Sequence, residues 1–154
     1  MKEILEIITA HHIRDVSAST RDEVLVELCD VVADASEVTD PEGFLQAIRD
    51  REKLMSTGIG HGIAIPHART SSVSDFVLVV GRSKKGIDYE SLDGLPVHII
   101  ILMGAPERKR KEFLTLISKV GELFIDNVFK EQFLDAGSSS EMTRLLKEKT
   151  IGLL

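Results

Sequence analysis

The sequence predicts a layered α/β domain, a mixed β-sheet flanked by helices. Three observations carry this prediction. Two nearly continuous apolar runs, Phe76–Val80 and Val97–Met103, have the length and branched-residue content of central strands buried on both faces. Capped segments with helical apolar spacing stand before and after them. The 154 residues, 43% hydrophobic and 29% charged, have the size and balance of one soluble globular domain, so residues 1–154 are read as a single unit.

Lys2–Ile8 is a short amphipathic helix candidate. Thr20 and Glu23 are spaced as a capping box. They open a helix whose apolar face carries Val24, Leu25, Leu28, Val31 and Val32. Asp40-Pro41 starts a second helix, with an acidic N-cap and proline at the first helical position. Its apolar face is Phe44, Leu45 and Ile48, and it ends near Arg51-Glu52-Lys53. In the middle, Ile63–Ile65, Phe76–Gly81 and Val97–Met103 read as strands. Lys84-Lys85-Gly86 and Asp93-Gly94 read as turns, and Ile87-Asp88-Tyr89 as a short edge strand. After Pro106, a helix repeats Phe113, Leu116, Ile117, Val120, Leu123 and Phe124 at three and four. Val128–Leu134 forms another helix, stopped by Gly137. Ser138 and Glu141 cap a last helix through Lys149.

Composition narrows the function classes. The net charge of −6 gives no global basic field for nucleic acid or anionic membrane. The single cysteine, Cys29, excludes an internal disulfide, suits a reducing cytosol, and falls in an apolar helical pattern as an inert core thiol. The apolar runs are too short to span a bilayer, and the N-terminus has no signal-peptide pattern. Arg108-Lys109-Arg110-Lys111 is a compact basic run at a helix start, where the macrodipole disfavours cations and calls for a compensating anion.

Ser56-Thr57-Gly58-Ile59-Gly60-His61-Gly62-Ile63-Ala64-Ile65-Pro66-His67-Ala68-Arg69 is the most informative stretch. Gly58, Gly60 and Gly62 permit tight turns and close backbone approach to a ligand. Pro66 fixes the chain direction before His67. An imidazole beside exposed amides suits phosphate, and His67 is the candidate phosphoryl acceptor. Arg51 and Arg69 are candidate phosphoryl clamps. Arg51 equally complements a helix C-terminus, and Arg69 equally reads as a solvated side chain. Ser56 and Thr57 can hydrogen-bond the site or simply cap a turn. His61 is either a second ring at the site or a solvent-facing loop residue. His11 and His12 read as a loop entering the first strand, and His98 as a core or sheet-face histidine. No Cys or further His stands at metal-ligand spacing. The glycines match neither dinucleotide nor P-loop spacing.

Arg51-Glu52-Lys53, Ser56-Thr57-Gly58-Ile59-Gly60 and Gly62-Ile63-Ala64-Ile65-Pro66-His67 together resemble the IIA component of the bacterial phosphoenolpyruvate-dependent sugar phosphotransferase system. The likeness is to the mannitol/fructose class, and most to the stand-alone nitrogen-regulatory IIA proteins. It continues through Ile87-Asp88-Tyr89, Asp93-Gly94 and Pro96-Val97, and covers essentially the whole chain. The resemblance implies the mannitol-type IIA fold and phosphoryl acceptance by His67 from HPr or its nitrogen-branch counterpart. It also implies phosphoryl stabilisation by Arg51, hydroxyl contacts from Ser56 or Thr57, and no cofactor. A IIB domain or regulatory target proteins are the further partners it implies, in the cytoplasm and without membrane insertion.

One departure stands out. The resemblance implies a second active-site histidine at the start of the helix after the long strand, in a His-Leu-x-x-Leu pattern. This chain reads Glu112-Phe113-Leu114-Thr115-Leu116 there, and has no histidine after His98. Glu112, or Arg110 in a shifted alignment, takes that position, and His61 is a candidate to supply the missing ring from the loop. A carboxylate repels a phosphoryl group unless protonated or paired with Arg108 or Arg110. The expected function is therefore a phosphoryl carrier centred on His67. The alternative is a regulatory binding module with little or no transfer.

Overall fold

The computed structural model describes residues 2–8 and 12–153. Helix α1 (Lys2–Ile7), strand β1 (Ile13–Asp15) and helices α2 (Arg21–Val32) and α3 (Pro41–Leu54) come first. The middle supplies β2 (Gly58–Gly60), β3 (Ile63–Ala64), β4 (His67–Arg69), β5 (Val77–Ile87) and β6 (Val97–Ala105). A 3-10 turn (Glu107–Lys109) leads into α4 (Arg110–Leu123), α5 (Asn127–Asp135) and α6 (Ser139–Gly152). His12 directly precedes β1, while His11 lies outside the described residues. No helix among the described residues is long and apolar enough to cross a membrane.

The predicted caps satisfy otherwise orphaned helix N–H groups. Thr20 Oγ1 accepts the Glu23 N–H at 3.4 Å, Asp40 Oδ1 accepts the Gly43 N–H at 3.1 Å, and Ser138 Oγ accepts the Glu141 N–H at 3.1 Å. Asp126 caps α5 through the Val128 N–H at 2.9 Å, one residue ahead of the predicted start.

The sheet is mixed. Its order is β1-β5-β6-β3-β2, and β4 also pairs with β6. β5 and β6 run antiparallel, β1 is parallel to β5, and β3 and β4 are parallel to β6. Successive side chains of β6 alternate between faces: Ile99, Ile101 and Met103 join the core beneath α1, α4, α5 and α6, whereas Ile100 and Leu102 join the core beneath α2 and α3. Burial on both faces is why these strands read as continuous apolar runs. Cys29 sits in the second core, where burial pushes its thiol up to about 12.

Two local expectations change. Lys84-Lys85-Gly86 is not a turn between strands. β5 continues to Ile87, and residues 83–86 bulge opposite His98, because the ladder pairs Arg82 with Ile99 and then Ile87 with Val97. Gly86 takes φ +88° there, and His98 fills the gap by donating from Nδ1 to the Ser83 carbonyl at 2.8 Å. Ile87-Asp88-Tyr89 is not a separate strand either. Ile87 closes β5, and Asp88 makes an isolated bridge to Thr20.

Candidate active site

His67 opens β4 and lies opposite Met103 of β6. β3 occupies the same edge of β6 four residues earlier, with Ile63 opposite Ile99. Ile65 and Pro66 form the break between the two strands. Pro66 has no N–H to give, and its carbonyl accepts the Met103 N–H at 2.9 Å. The Ile65 carbonyl turns to the His67 ring and accepts from Nδ1 at 2.7 Å. A carbonyl can only accept, so Nδ1 carries the proton and Nε2 keeps its lone pair.

The ring is half-buried and stands edge-on to Phe113 of α4, with centroids 6.1 Å apart. Burial lowers its pKa below the usual histidine value. The Ile65 carbonyl opposes that shift, the Arg51 charge adds to it, and the Glu52 charge opposes it. The imidazole is therefore neutral at neutral pH, as a nucleophile requires.

A groove of about 520 Å³ opens beside the ring. Arg51 and Leu54 of α3 line one wall, Arg110 and Leu114 of α4 the other, and Arg69 of β4 lies between. Arg51 Nη1 donates to the Met55 carbonyl at 3.0 Å, which holds it at the end of its helix. Arg69 Nη1 donates to the Glu107 carbonyl at 2.9 Å. Three guanidiniums thus share the groove with one carboxylate, Asp50. Such forks match the oxygens of a phosphoryl group.

The other residues singled out from the sequence lie elsewhere. Glu112 does not face His67. Two residues along a helix turn its side chain about 200° away from Arg110, and it lines a hollow with Phe76, Lys111 and Thr115. Arg110, Phe113, Leu114 and Ile117 share the face toward His67, at helical spacings of three and four.

His61 is equally removed. It sits with φ +58° at the tip of the β2–β3 hairpin, between Gly60 at φ +94° and Gly62 at φ +78°. Its groove is a second one, shared with Ile59, Phe124 and Lys130. Along β6 alone, Ile63 and His67 are about 13 Å apart at the usual ~3.3 Å per residue, with His61 beyond Ile63. Gly58, Gly60 and Gly62 build this hairpin, and none of them lines the His67 groove.

Ser56 Oγ accepts the Gly58 N–H at 3.1 Å, a local turn bond. Thr57 is buried on Glu52 and Tyr89 and meets the site only through its backbone, where its carbonyl accepts the Ile65 N–H at 3.0 Å. Burial, and then the Glu52 charge, push the Tyr89 phenol up, so it remains a proton donor. The basic run finds its anion in Asp75, which Lys109 Nζ meets at 2.9 Å. Among the described residues, no group of three or more His, Cys, Asp and Glu side chains is arranged to hold a metal.

In the sequence Arg110 stands only as a shifted alternative to Glu112, and no local pattern gives Glu52 or Tyr89 a role. The helical period after Pro106 would have separated Arg110 from Glu112. Nothing local marks Tyr89 as a neighbour of Glu52, 37 residues earlier.

Residues 6–149 match the family model described as "Phosphoenolpyruvate-dependent sugar phosphotransferase system, EIIA 2". The fructose-specific EIIABC component of Bacillus subtilis is 35% identical over 95% of this chain, which spans 23% of that protein's length. The fructose-specific EIIA component of Haloferax volcanii is 30% identical over 84% of both proteins. The crystal structure of nitrogen regulatory protein IIA-Ntr from Neisseria meningitidis superposes with a TM-score of 0.86 at 27% identity, covering 94% of this chain and 99% of that one. The chain belongs to the EIIA 2 family of the phosphoenolpyruvate-dependent sugar phosphotransferase system.

Proposed function

We propose that this chain is a phosphoryl carrier that accepts phosphate on Nε2 of His67 from a phosphorylated HPr-type protein. It then passes the group to an acceptor protein such as a IIB domain, or uses it as a regulatory switch. The observation that carries the reading is a neutral ring with its Nδ1 proton engaged by the Ile65 carbonyl at 2.7 Å, beside a groove holding Arg51, Arg69 and Arg110.

In the transfer, the Nε2 lone pair forms a bond to phosphorus as the donor's P–N bond breaks. The electron pair of that bond stays on the donor ring. Both rings keep their other N–H, so no proton changes hands, and the positive charge accompanying N-phosphorylation moves from donor ring to His67. The Ile65 carbonyl meets that charge at Nδ1. The guanidiniums balance the phosphoryl oxygens while they lie between the two nitrogens. Exposed Leu54 and Leu114 give a protein donor apolar footing at the rim.

Glu112 lines a different hollow from the His67 groove, which favours transfer over the binding-only alternative. The test is incubation with phosphoenolpyruvate, enzyme I and HPr. Wild type should gain an acid-labile phosphate and His67→Ala none. Labelling that survives His67→Ala overturns the assignment.

A further inference from the structure

Glu52 is an oddity of this fold. The residue is only 5% exposed, and its carboxylate is met by two hydroxyls and a backbone N–H in place of a cation. Burying an unpaired carboxylate costs stability, and the transfer chemistry above makes no direct use of it. Arg51, its neighbour in α3, points into the groove, while Glu52 points inward.

What surrounds Glu52 is a set of donors. Tyr89 Oη donates to Oε1 at 2.6 Å, and the Thr57 hydroxyl donates to the same oxygen. The Thr57 N–H donates to Oε2 at 3.2 Å. Thr57 is therefore gripped at backbone and side chain together. Its carbonyl accepts the Ile65 N–H at 3.0 Å, and the Ile65 carbonyl accepts His67 Nδ1–H at 2.7 Å. Pro66 stiffens the one residue between Ile65 and the ring. A continuous series of hydrogen bonds thus joins a buried carboxylate to the reactive imidazole.

We infer that Glu52 is a positioning residue: through Thr57 and Ile65 it fixes the His67 ring in the Nδ1–H tautomer, with Nε2 presented to the groove. Tyr89 holds the carboxylate in that orientation. The inference rests on the reading of His67 as the phosphoryl acceptor. Removing the carboxylate loosens Thr57, then residue 65, and lets the ring exchange tautomers and rotate. The damage falls on the transfer step, because the rim residues that meet the donor protein are untouched.

The experiment pairs ring 15N NMR with transfer kinetics from phosphorylated HPr, using the full chain. Wild type should show one dominant Nδ1–H tautomer. Glu52→Gln should show mixed tautomers, a kcat lower by roughly tenfold, the cost of about one charge-assisted hydrogen bond, and a KM for phosphorylated HPr within about twofold. Thr57→Val, which removes the hydroxyl, should move the same way. Thr57→Ser, which keeps it, should restore both readouts.

Should Glu52→Gln not fold, Tyr89→Phe carries the comparison, because it deletes one donor at constant ring volume. An unchanged tautomer ratio and kcat in the folded variants overturn the inference. If those variants are unchanged while His67→Ala is unlabelled, only the positioning role falls. If His67→Ala is labelled, the acceptor reading falls as well.

Discussion

The Phe44 ring lies so close to Gly104 that a Cβ at residue 104 would stand 2.6 Å from the ring's Cε1. This contact seats α3 on β6, and Gly104 also pairs with Ala68, the residue after His67. Arg51 lies seven residues, about two helical turns, beyond Phe44 on the same helix. One glycine therefore sets the distance between two site residues that it does not touch. Gly104→Ala should lift α3, cost about 1–3 kcal/mol and slow phosphorylation. Thermal unfolding and the transfer assay on one preparation measure both, and an unshifted melting temperature would contradict the contact's importance.

Of the two residues the sequence offers for the place of the second histidine, Glu112 and Arg110, it is Arg110 that lines the groove. Arg110→Ala should lower the transfer rate by about ten- to a hundred-fold, the equivalent of losing a hydrogen bond to a charged group worth about 1.5–3 kcal/mol. The side chain is exposed, so unfolding should hardly change. Glu112→Gln is the matched control and should leave the rate within about twofold. Equal losses in both variants would return Glu112 to the site.

Burial lowers the His67 pKa, which fixes the direction of two pH effects. In the unfolded chain the ring titrates near ~6.5. Below that pH the unfolded state binds a proton that the folded state resists, so folding stability from this group is complete above ~6.5 and is lost as pH falls through the folded value. Phosphoryl acceptance should be flat through neutral and alkaline pH and should decline only on the acid side of ~6.5. An NMR titration of the ring locates the midpoint, and a midpoint above 6.5 would reverse both statements.

Arg82 is 2% exposed and ties three elements together. It grips Asp15 of β1 through Nε at 2.7 Å and Nη2 at 2.9 Å, and Nη1 reaches the Ala136 carbonyl at 2.6 Å beyond the end of α5. The guanidinium holds the Asp15 carboxyl below its usual range. Arg82→Met should destabilise by about 3–5 kcal/mol, because the buried carbonyls lose their donor. Arg82→Lys should recover little, since one ammonium cannot span the same fork. Urea unfolding of the three proteins checks this, and a small loss in Arg82→Met would show that water satisfies the carbonyls.

Legibility in the sequence followed the range of the interactions involved. Thr20, Asp40 and Ser138 announce helix starts because a cap is a contact over two or three residues. The runs at Phe76 and Val97 announce central strands because both faces are buried. β2 and β4 were not legible: each is three residues long and exists only because β3 or β6 pairs with it. His67 and Arg51 stood out through residue type and local setting. Arg110 required helical phase, and the Glu52–Tyr89 contact required a fold that closes 37 residues. Of the two readings open for His61, a second ring at the site or a solvent-facing loop residue, the exposed hairpin tip fits the second. An extended chain carries His61 and His67 apart.

The bond between the Ile65 carbonyl and the ring has a consequence for how this site can arise or vanish. Thr57 and Ile65 stand opposite each other one step beyond the Gly58–Ala64 pair, where a regular antiparallel pair exchanges both backbone bonds. Only one is made, from the Ile65 N–H to the Thr57 carbonyl; the Thr57 N–H turns to Glu52, and the Ile65 carbonyl turns to His67. Reactivity here occupies a vacancy in otherwise regular pairing, so repairing the regularity would abolish it. A variant in which the Thr57 N–H returned to the Ile65 carbonyl would be a better-formed sheet and a worse acceptor, with His67 and Arg51 still in the sequence.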